Sequence, residues 1–497
     1  MEKKAYLILA LLLVTGIPAG SQSESSSARI EWSDLPTAIV EKSPDLRTGY
    51  LIVPERRSLI QSRRMVRLPF IIMKSRSVSP QRDPILFTAG GPGGSTLARV
   101  RNRRRDPLLD DRDVILFEQR GTRYAEPALV FPEIDEALRS GWGTRLNGNP
   151  DPSAIKRAMA TALQKLRKQG IDLAGYTTKE SAADIADLRR LLEIPSWNLY
   201  GVSYSTKLML TVLRDHPQGI RSAILDSVLP PDADWDEDAP ANILEVLNHL
   251  FAVCRTDDHL RERCSDLKDR FFRFLAEANR RPIEMAIKNP LDGTSLTIRL
   301  DGVGIMNCIY AGLETAGGIR RLPLIIDASC RGDVQTLSPL LEQYLGSSQG
   351  NALGMRLAVW CNEEFPFERP SKILRPAGLP PELLGFLQTA VPTEAVKSWP
   401  SGRPDPVENE PVKSLVPVLI AAGEYDPDTP TKWAYGAAAR LSNAQLLEFA
   451  GMSHVPLFTH PEAARIMKEF LADPFRRPDP GTIGTRPLFM LSLDTNK

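Results

Sequence analysis

Short apolar runs rich in branched and aromatic side chains punctuate the first half of the chain, at residues 84–88, 113–117, 197–200 and 222–226. Runs apolar on both faces predict strands covered on both sides, as in a parallel sheet. Between them the period changes. Residues 153–168 and 179–192 carry apolar positions at helical spacing, the second at Ile185, Leu188, Leu191 and Leu192. This alternation predicts an α/β protein with a doubly wound, mostly parallel sheet. After Pro230-Pro231 the pattern becomes mainly helical, with helices expected at 243–254, 267–278, 322–330 and 381–391. Strand character returns at 415–422 and 445–449, around a helix at 431–441. The chain therefore reads as a first core segment (30–231), a large helical cap inserted between core strands (232–405), a second core segment (406–475) and a C-terminal tail (476–497).

Composition narrows the class. With 497 residues, 42% hydrophobic and 25% charged, the chain can bury a large core, and 41 prolines against 33 glycines point to many loops rather than disorder. At the N-terminus Lys3 and Lys4 precede an apolar stretch, residues 5–14, and Pro18-Ala19-Gly20-Ser21 offers small residues for cleavage. Residues 1–22 thus read as a signal peptide, and the mature protein is expected to be secreted or periplasmic. No later stretch approaches the roughly 20 apolar residues of a membrane span, so no stable membrane insertion is expected once the signal is removed. The formal charge, +1 for the whole chain, argues against general attraction to nucleic acid. The one local exception, the arginine-rich run 99–105, reads either as a solvated helix face or as a substrate-steering rim. Five cysteines in an exported chain predict two disulfides and one free thiol. Cys254 and Cys264, which flank a short polar segment, are the first choice for one bridge, and no Cys/His spacing suggests zinc.

The candidate chemistry is that of a nucleophilic serine on a sharp strand-to-helix turn, which lifts Oγ clear of the sheet. Two serines compete. Ser348 sits in a literal Gly-x-Ser-x-Gly but lacks a preceding strand. Ser203, in Gly201-Val202-Ser203-Tyr204-Ser205, departs from that pattern at its last position, yet it follows one strand and opens a helix. Ser203 is therefore the expected nucleophile.

Among five histidines only His454, in Gly451-Met452-Ser453-His454, follows a strand directly. It is the expected base. The acid that orients it should end an earlier strand, and Asp426 fits, with Asp428 and Asp226 as alternatives. The oxyanion donors are expected to be the N–H groups of Tyr204 and of Gly91, the latter in the glycine-rich loop 89–94. No Gly-Lys-Ser/Thr follows that loop, which argues against a phosphate cradle. Nothing in the sequence calls for a metal or an organic cofactor. The expected partner is a peptide or small acyl substrate, and the oligomeric state is not readable.

The ordered motifs Ala89-Gly-Gly-Pro-Gly-Gly-Ser95, Phe117-Glu-Gln-Arg-Gly-Thr122, Asn198-Leu-Tyr-Gly-Val-Ser-Tyr204, Gly423-Glu-Tyr-Asp-Pro-Asp-Thr-Pro430 and Gly451-Met-Ser-His454 together resemble the α/β-hydrolase superfamily. Within it they resemble the proline iminopeptidase and tripeptidyl aminopeptidase group, over residues 45–470. The resemblance implies the α/β-hydrolase fold, a canopy of helices after the sixth strand, and hydrolysis at the N-terminus of peptides. The chain departs from the family at Ala89, where histidine is usual, at Glu118 (aspartate), at Arg123 and Ser205 (glycine), and at Phe131, where the tripeptidyl branch often has cysteine. The segment 358–364 also resembles the tripeptidyl branch, with Cys361 followed two residues later by an acid. A carboxylate in a cap over the site would bind a substrate ammonium, and Glu363 is the expected one, with Glu364 as its alternative. An ordinary surface helix end is the competing reading of this segment. Three functions follow as expectations: an aminopeptidase of prolyl or tripeptidyl type, an esterase or amidase acting on small molecules, and a catalytically silent binding module.

Overall fold

The computed structural model describes residues 28–59, 64–139, 151–346, 350–369, 372, 379–383, 396, 398–400 and 402–493. The expected signal peptide, Ser348, and residues 384–391 of the helix expected at 381–391 lie outside the described residues. Pro381–Leu383 forms a single 3-10 turn.

Nine strands form one sheet. In chain order they are β1 (Arg29–Trp32), β2 (Leu46–Pro54), β3 (Met65–Met73), β4 (Ile85–Thr88), β5 (Val114–Phe117), β6 (Trp197–Val202), β7 (Ile220–Asp226), β10 (Val418–Gly423) and β11 (Ala444–Phe449), while β8 (Ile283–Lys288) and β9 (Ser295–Leu300) make a separate hairpin. Across the sheet the order is β1-β2-β3-β5-β4-β6-β7-β10-β11. From β5 to β11 every pairing is parallel, and β1, β2 and β3 extend that core antiparallel. The central strands β4, β5 and β6 are buried at every position, which is why they read as continuous apolar runs. The antiparallel strands escaped the sequence pattern, because polar and apolar residues mix along them.

Helices cover both faces. After α1 (Val100–Arg103) and α2 (Pro132–Arg139) come α3 (Pro152–Gln169), α4 (Thr178–Leu191) and α5 (Tyr204–Asp215). These three pack with α13 (Thr431–Ala438) on one face, through residues such as Met159, Leu188, Leu208 and Ala434. On the other face α14 (Ala463–Ala472) packs Ile466 and Phe470 against Phe87 and Tyr200. Each such side chain, fully buried, contributes roughly 1.5–3 kcal/mol.

The insertion follows β7, the seventh strand of this chain, because the N-terminal antiparallel strands add to the count that the family resemblance implies. It has two parts. In the first, α6 (Trp235–Thr256), α7 (Arg261–Cys264), α8 (Leu267–Arg280), α9 (Gly302–Leu313), α10 (Ala316–Cys330) and α11 (Ser338–Gly346) enclose a core of their own around Leu250, Phe271, Ile305 and Leu322. The β8–β9 hairpin belongs to this body and adds strands to the mainly helical expectation: Met285 and Ile287 alternate inward with a period of two, which is a strand pattern. In the second part α12 (Leu353–Val359) runs into a π-helical turn, Trp360–Glu364, and buries Leu357, Trp360 and Cys361 in the core of the sheet domain.

Cap and core are joined further by scattered hydrogen bonds, three of which show the pattern. Ala352 N–H donates to Gly93 O (2.8 Å). The Ser453 hydroxyl donates to Leu313 O at the end of α9. The tail residue Met490 donates its N–H to Arg320 O (3.0 Å), and Phe489 is buried in the cap core, so the segment after 476 is a tie rather than a free tail.

The cysteine count needs correcting. Cys254 and Cys264 come together with Cα atoms 5.8 Å apart, within the disulfide range. Cys308, Cys330 and Cys361 are all free, so the expected second bridge is absent among the described residues. Cys308 and Cys361 are buried, and each thiol instead hydrogen-bonds a backbone carbonyl, Gly304 O and Val396 O respectively. No helix of the described residues is long and apolar enough to cross a membrane.

Candidate active site

Strand β6 ends at Val202 and α5 begins at Tyr204, leaving Ser203 alone on the turn with φ +54° and ψ −131°. A non-glycine residue held at positive φ stores strain that its surroundings must over-determine. They do: Ser203 N–H donates to Asp226 O (3.0 Å), and Thr206 returns both its N–H and its hydroxyl to Ser203 O. Ser205, where the family has glycine, is accommodated because its hydroxyl bonds that of Thr88 on β4.

His454 follows β11, and its Nδ1 lies 2.8 Å from Asp426 Oδ2. Asp426, at the end of β10, is fully enclosed. Its Oδ1 accepts the N–H groups of Asp428 and Thr429, both at 2.9 Å, and its Oδ2 accepts the hydroxyls of Ser227 (2.8 Å) and Thr429 (2.7 Å). Burial works to raise the Asp426 pKa, but the charge of His454 and these hydrogen bonds outweigh it and hold the carboxylate below its ordinary value. Ser227 ties the constellation together. It follows Asp226, whose carbonyl holds Ser203, and its hydroxyl contacts both Asp426 and the Val455 N–H.

The alternative acids stand differently. Asp226 is buried, and that burial pushes its carboxyl up to about 8; its Oδ1 accepts only the Leu457 N–H, at 3.4 Å. Asp428 accepts the Tyr310 hydroxyl at 2.6 Å. Both Asp428 and Glu314, the residue capping α9, add negative charge around His454. Burial acts to lower the His454 pKa, and Asp426, Asp428 and Glu314 overcome it, so His454 lies above its ordinary 6.5. Glu314 itself is pushed up to about 8 by burial and then by Asp428. Asp426, Asp428 and His454 also present donor atoms within 4.8 Å of one another, a spacing that could hold a metal ion. The oxygens of Asp426, however, are already taken by hydrogen-bond donors.

The glycine-rich loop after β4 closes over the nucleophile. A Cβ on Gly90 would lie 2.6 Å from Val202 O and 2.9 Å from the Ser203 Cβ, so only glycine permits this approach. Gly91 adopts φ +128°, also open chiefly to glycine. Tyr204, as the first residue of α5, has no intrahelical acceptor for its N–H. Glu118 pins the loop by accepting the Ser95 hydroxyl and the Leu97 N–H. The arginine run 99–105 is only partly solvated: Arg103 bonds Asp106 and lies over the Phe87 ring (3.8 Å) and the Tyr200 ring (5.3 Å).

Glu363 and Glu364 depart from their expected role. Their side chains are 1% and 3% exposed and face Lys207, which is completely buried in α5. Glu364 bonds the Lys207 ammonium, and Glu363 accepts both the N–H and the hydroxyl of Thr178. With Glu363 held by Thr178, Glu364 held by Lys207 and both side chains buried, these two carboxylates do not present an exposed partner to a substrate ammonium. Sequence reasoning also missed Ser227, Thr429, Tyr310 and Glu314. Thr429 was findable, since a threonine three residues after an aspartate is a turn signal. So was Lys207, a single lysine inside a helix whose residues 204–213 are all buried, which calls for a buried counter-ion.

Residues 83–247 match the family described as alpha/beta hydrolase fold, and residues 389–482 match the TAP-like protein family. The tripeptidyl aminopeptidase of Streptomyces lividans is 22% identical over 453 residues, covering 86% of this chain and 80% of its own. The serine protease Hip1 of Mycobacterium bovis is 23% identical over 405 residues, 75% of each chain. Among solved structures, a thermophilic esterase from Thermogutta terrifontis aligns with 86% of this chain and 99% of its own, at 14% identity and a TM-score of 0.36.

Proposed function

Because the chain belongs to the α/β-hydrolase superfamily, in its aminopeptidase-like group, we propose that it is an exported serine hydrolase that releases N-terminal residues from peptides. The observation that carries the reading is the His454–Asp426 hydrogen bond, linked through Ser227 and Asp226 to a serine held on a strained strand-to-helix turn. In this reading Ser203 Oγ attacks the substrate carbonyl while His454 Nε2 takes its proton. The tetrahedral oxyanion is received by the N–H groups of Tyr204 and Gly91. His454 then protonates the leaving amine, and water hydrolyses the acyl-enzyme by the same proton relay. Asp426 fixes the imidazole tautomer and stabilises the imidazolium. The Cys254–Cys264 pair, as a disulfide, suits an exported protein.

The charge around the site favours a cationic substrate. Asp428 and Glu314 exceed what the triad needs, and a peptide ammonium placed beside them would offset their mutual repulsion. The ammonium role first given to Glu363 therefore falls to Glu314. The test has two stages. A fluorophosphonate probe labels the wild type and leaves Ser203→Ala unlabelled; wild-type labelling of a folded Ser203→Ala protein would overturn the nucleophile. Free peptide amides are then compared with N-acetylated ones and with short-chain esters. Glu314→Gln lowers kcat/KM on free peptides about 10- to 100-fold, the worth of a charged hydrogen bond, and spares esters. Equal turnover of free and acetylated peptides would refute the aminopeptidase reading in favour of an esterase or amidase.

A further inference from the structure

The two cap glutamates that do not meet solvent lead instead to the nucleophile turn. The only proton of the Thr178 hydroxyl goes to Glu363. With Glu363 ionised, the 2.7 Å contact between Thr178 Oγ1 and Tyr204 Oη therefore runs with the tyrosine as donor. A directed chain results, from the Tyr204 O–H to the Thr178 O–H to the Glu363 carboxylate. Every side chain in it is buried. Lys207, one helical turn after Ser203, completes the arrangement. Its ammonium bonds Glu364 and lies 3.9 Å from Glu363, where it opposes the burial that pushes the Glu363 carboxyl up to about 8. The residue at the donor end is the one whose backbone N–H receives the oxyanion in the proposed mechanism.

Tyr204 thus has two separate jobs, an N–H at the reacting centre and a phenol anchored to the cap. The anchor bears on the turn at a residue adjacent to a serine already held at φ +54°. We propose that Glu363 is a positioning residue: acting through Thr178 and the Tyr204 side chain, it fixes the oxyanion-donating N–H of Tyr204, and it does not bind substrate. The π-helical turn at Trp360–Glu364 presents Glu363 to the α4 N-terminus and Glu364 to α5 at the same time. Turns of this kind recur where a helix must aim side chains that the regular period would misplace. The proposal rests on the serine-hydrolase reading, and it makes the opposite forecast to a substrate-binding glutamate.

The experiment cuts the chain at each link with near-isosteric changes, Glu363→Gln, Thr178→Val and Tyr204→Phe, and measures kcat and KM on a neutral short-chain ester and on a free peptide amide. Circular dichroism and thermal melting confirm that each variant is folded. Loss of a full oxyanion donor costs about 100- to 1,000-fold, so a misaimed donor should cost about 10-fold in kcat. The proposal expects that loss on ester and peptide alike, with KM unchanged. It also expects Glu363→Gln combined with Tyr204→Phe to be no worse than the poorer single variant, since both act through one N–H. A Glu363→Gln protein that loses activity on peptides but keeps it on esters would overturn the proposal, and so would losses that multiply in the double variant. If the folded wild type does not react with a fluorophosphonate, the hydrolase reading and the positioning role fall together. If it reacts and the three variants match its kcat, only the positioning role falls.

Discussion

Replacing Gly90 by alanine adds a single methyl group, and the structure shows where it must go. Its Cβ would stand 2.6 Å from Val202 O, 2.9 Å from the Ser203 Cβ and 3.4 Å from Tyr204 N. Ordinary carbon contacts lie near ~3.5 Å, so the loop has to withdraw by nearly ~1 Å. It cannot do so freely. Gly94 N–H is bonded back to Gly90 O (3.1 Å), and Gly93 O is held by Ala352 of the cap. A misplacement of ~1 Å at a reacting centre costs about 100-fold, and the methyl also crowds the Tyr204 N–H, so kcat should fall by about 100-fold or more. Stability should fall by the roughly 1–3 kcal/mol of an overpacked site, which leaves a fold of ordinary stability intact. The assay is kcat on a neutral short-chain ester, with circular dichroism to establish that the variant is folded. A folded Gly90→Ala protein retaining kcat within about threefold of the wild type, less than 1 kcal/mol of barrier, would refute the placement of this loop against the nucleophile.

Asp426→Asn should fold and lose about 10,000-fold in kcat, because the imidazolium loses its partner and the tautomer is no longer fixed; a larger loss in Asp226→Asn or Asp428→Asn would reassign the acid. Protonated His454 cannot accept the serine proton, so kcat/KM should rise with pH through a midpoint above 6.5. Asp428→Asn, which removes one facing carboxylate, should move that midpoint down by about one pH unit, and an unchanged midpoint would discount the charge of Asp428. The same raised value means that the stability contributed by charged His454 is complete below about 6.5 and is lost as pH rises through the folded-state pKa. Lys207→Met should leave Glu363 and Glu364 buried without their cation and cost about 3–5 kcal/mol in denaturant unfolding; a cost below about 1 kcal/mol would mean the pair is not held as described.

The parallel core was legible because a strand covered on both faces has to be apolar throughout, and β4, β5 and β6 are buried at every residue. The antiparallel extension was not, because strands such as β2 carry half-exposed and exposed positions at Leu46 and Arg47 among buried ones. The turn at Ser203 could be read from its neighbours, since a strand must end and a helix begin there. What decided the fate of Glu363 and Glu364 was a lysine more than 150 positions away. Long-range pairing of this kind leaves no periodic mark on either segment. The family resemblance suggested an acid in the right stretch of cap, but whether an acid meets solvent or an internal cation depends on the third dimension.

The attachments between cap and core, among them those at Tyr310, Leu313, Arg320, Ala352, Glu363 and Glu364, are spread over α9, α10 and the second part of the insertion. A plate fixed at many scattered points has no free axis of rotation, because turning it about the line through any two fixings shears the others. The cap therefore lacks the mechanics of a hinged door. A peptide reaching the nucleophile must pass beside the cap or release one fixing at a time. Since Ala352 holds the loop that carries Gly91, releasing that fixing would loosen the oxyanion-binding loop at the moment the entrance widened.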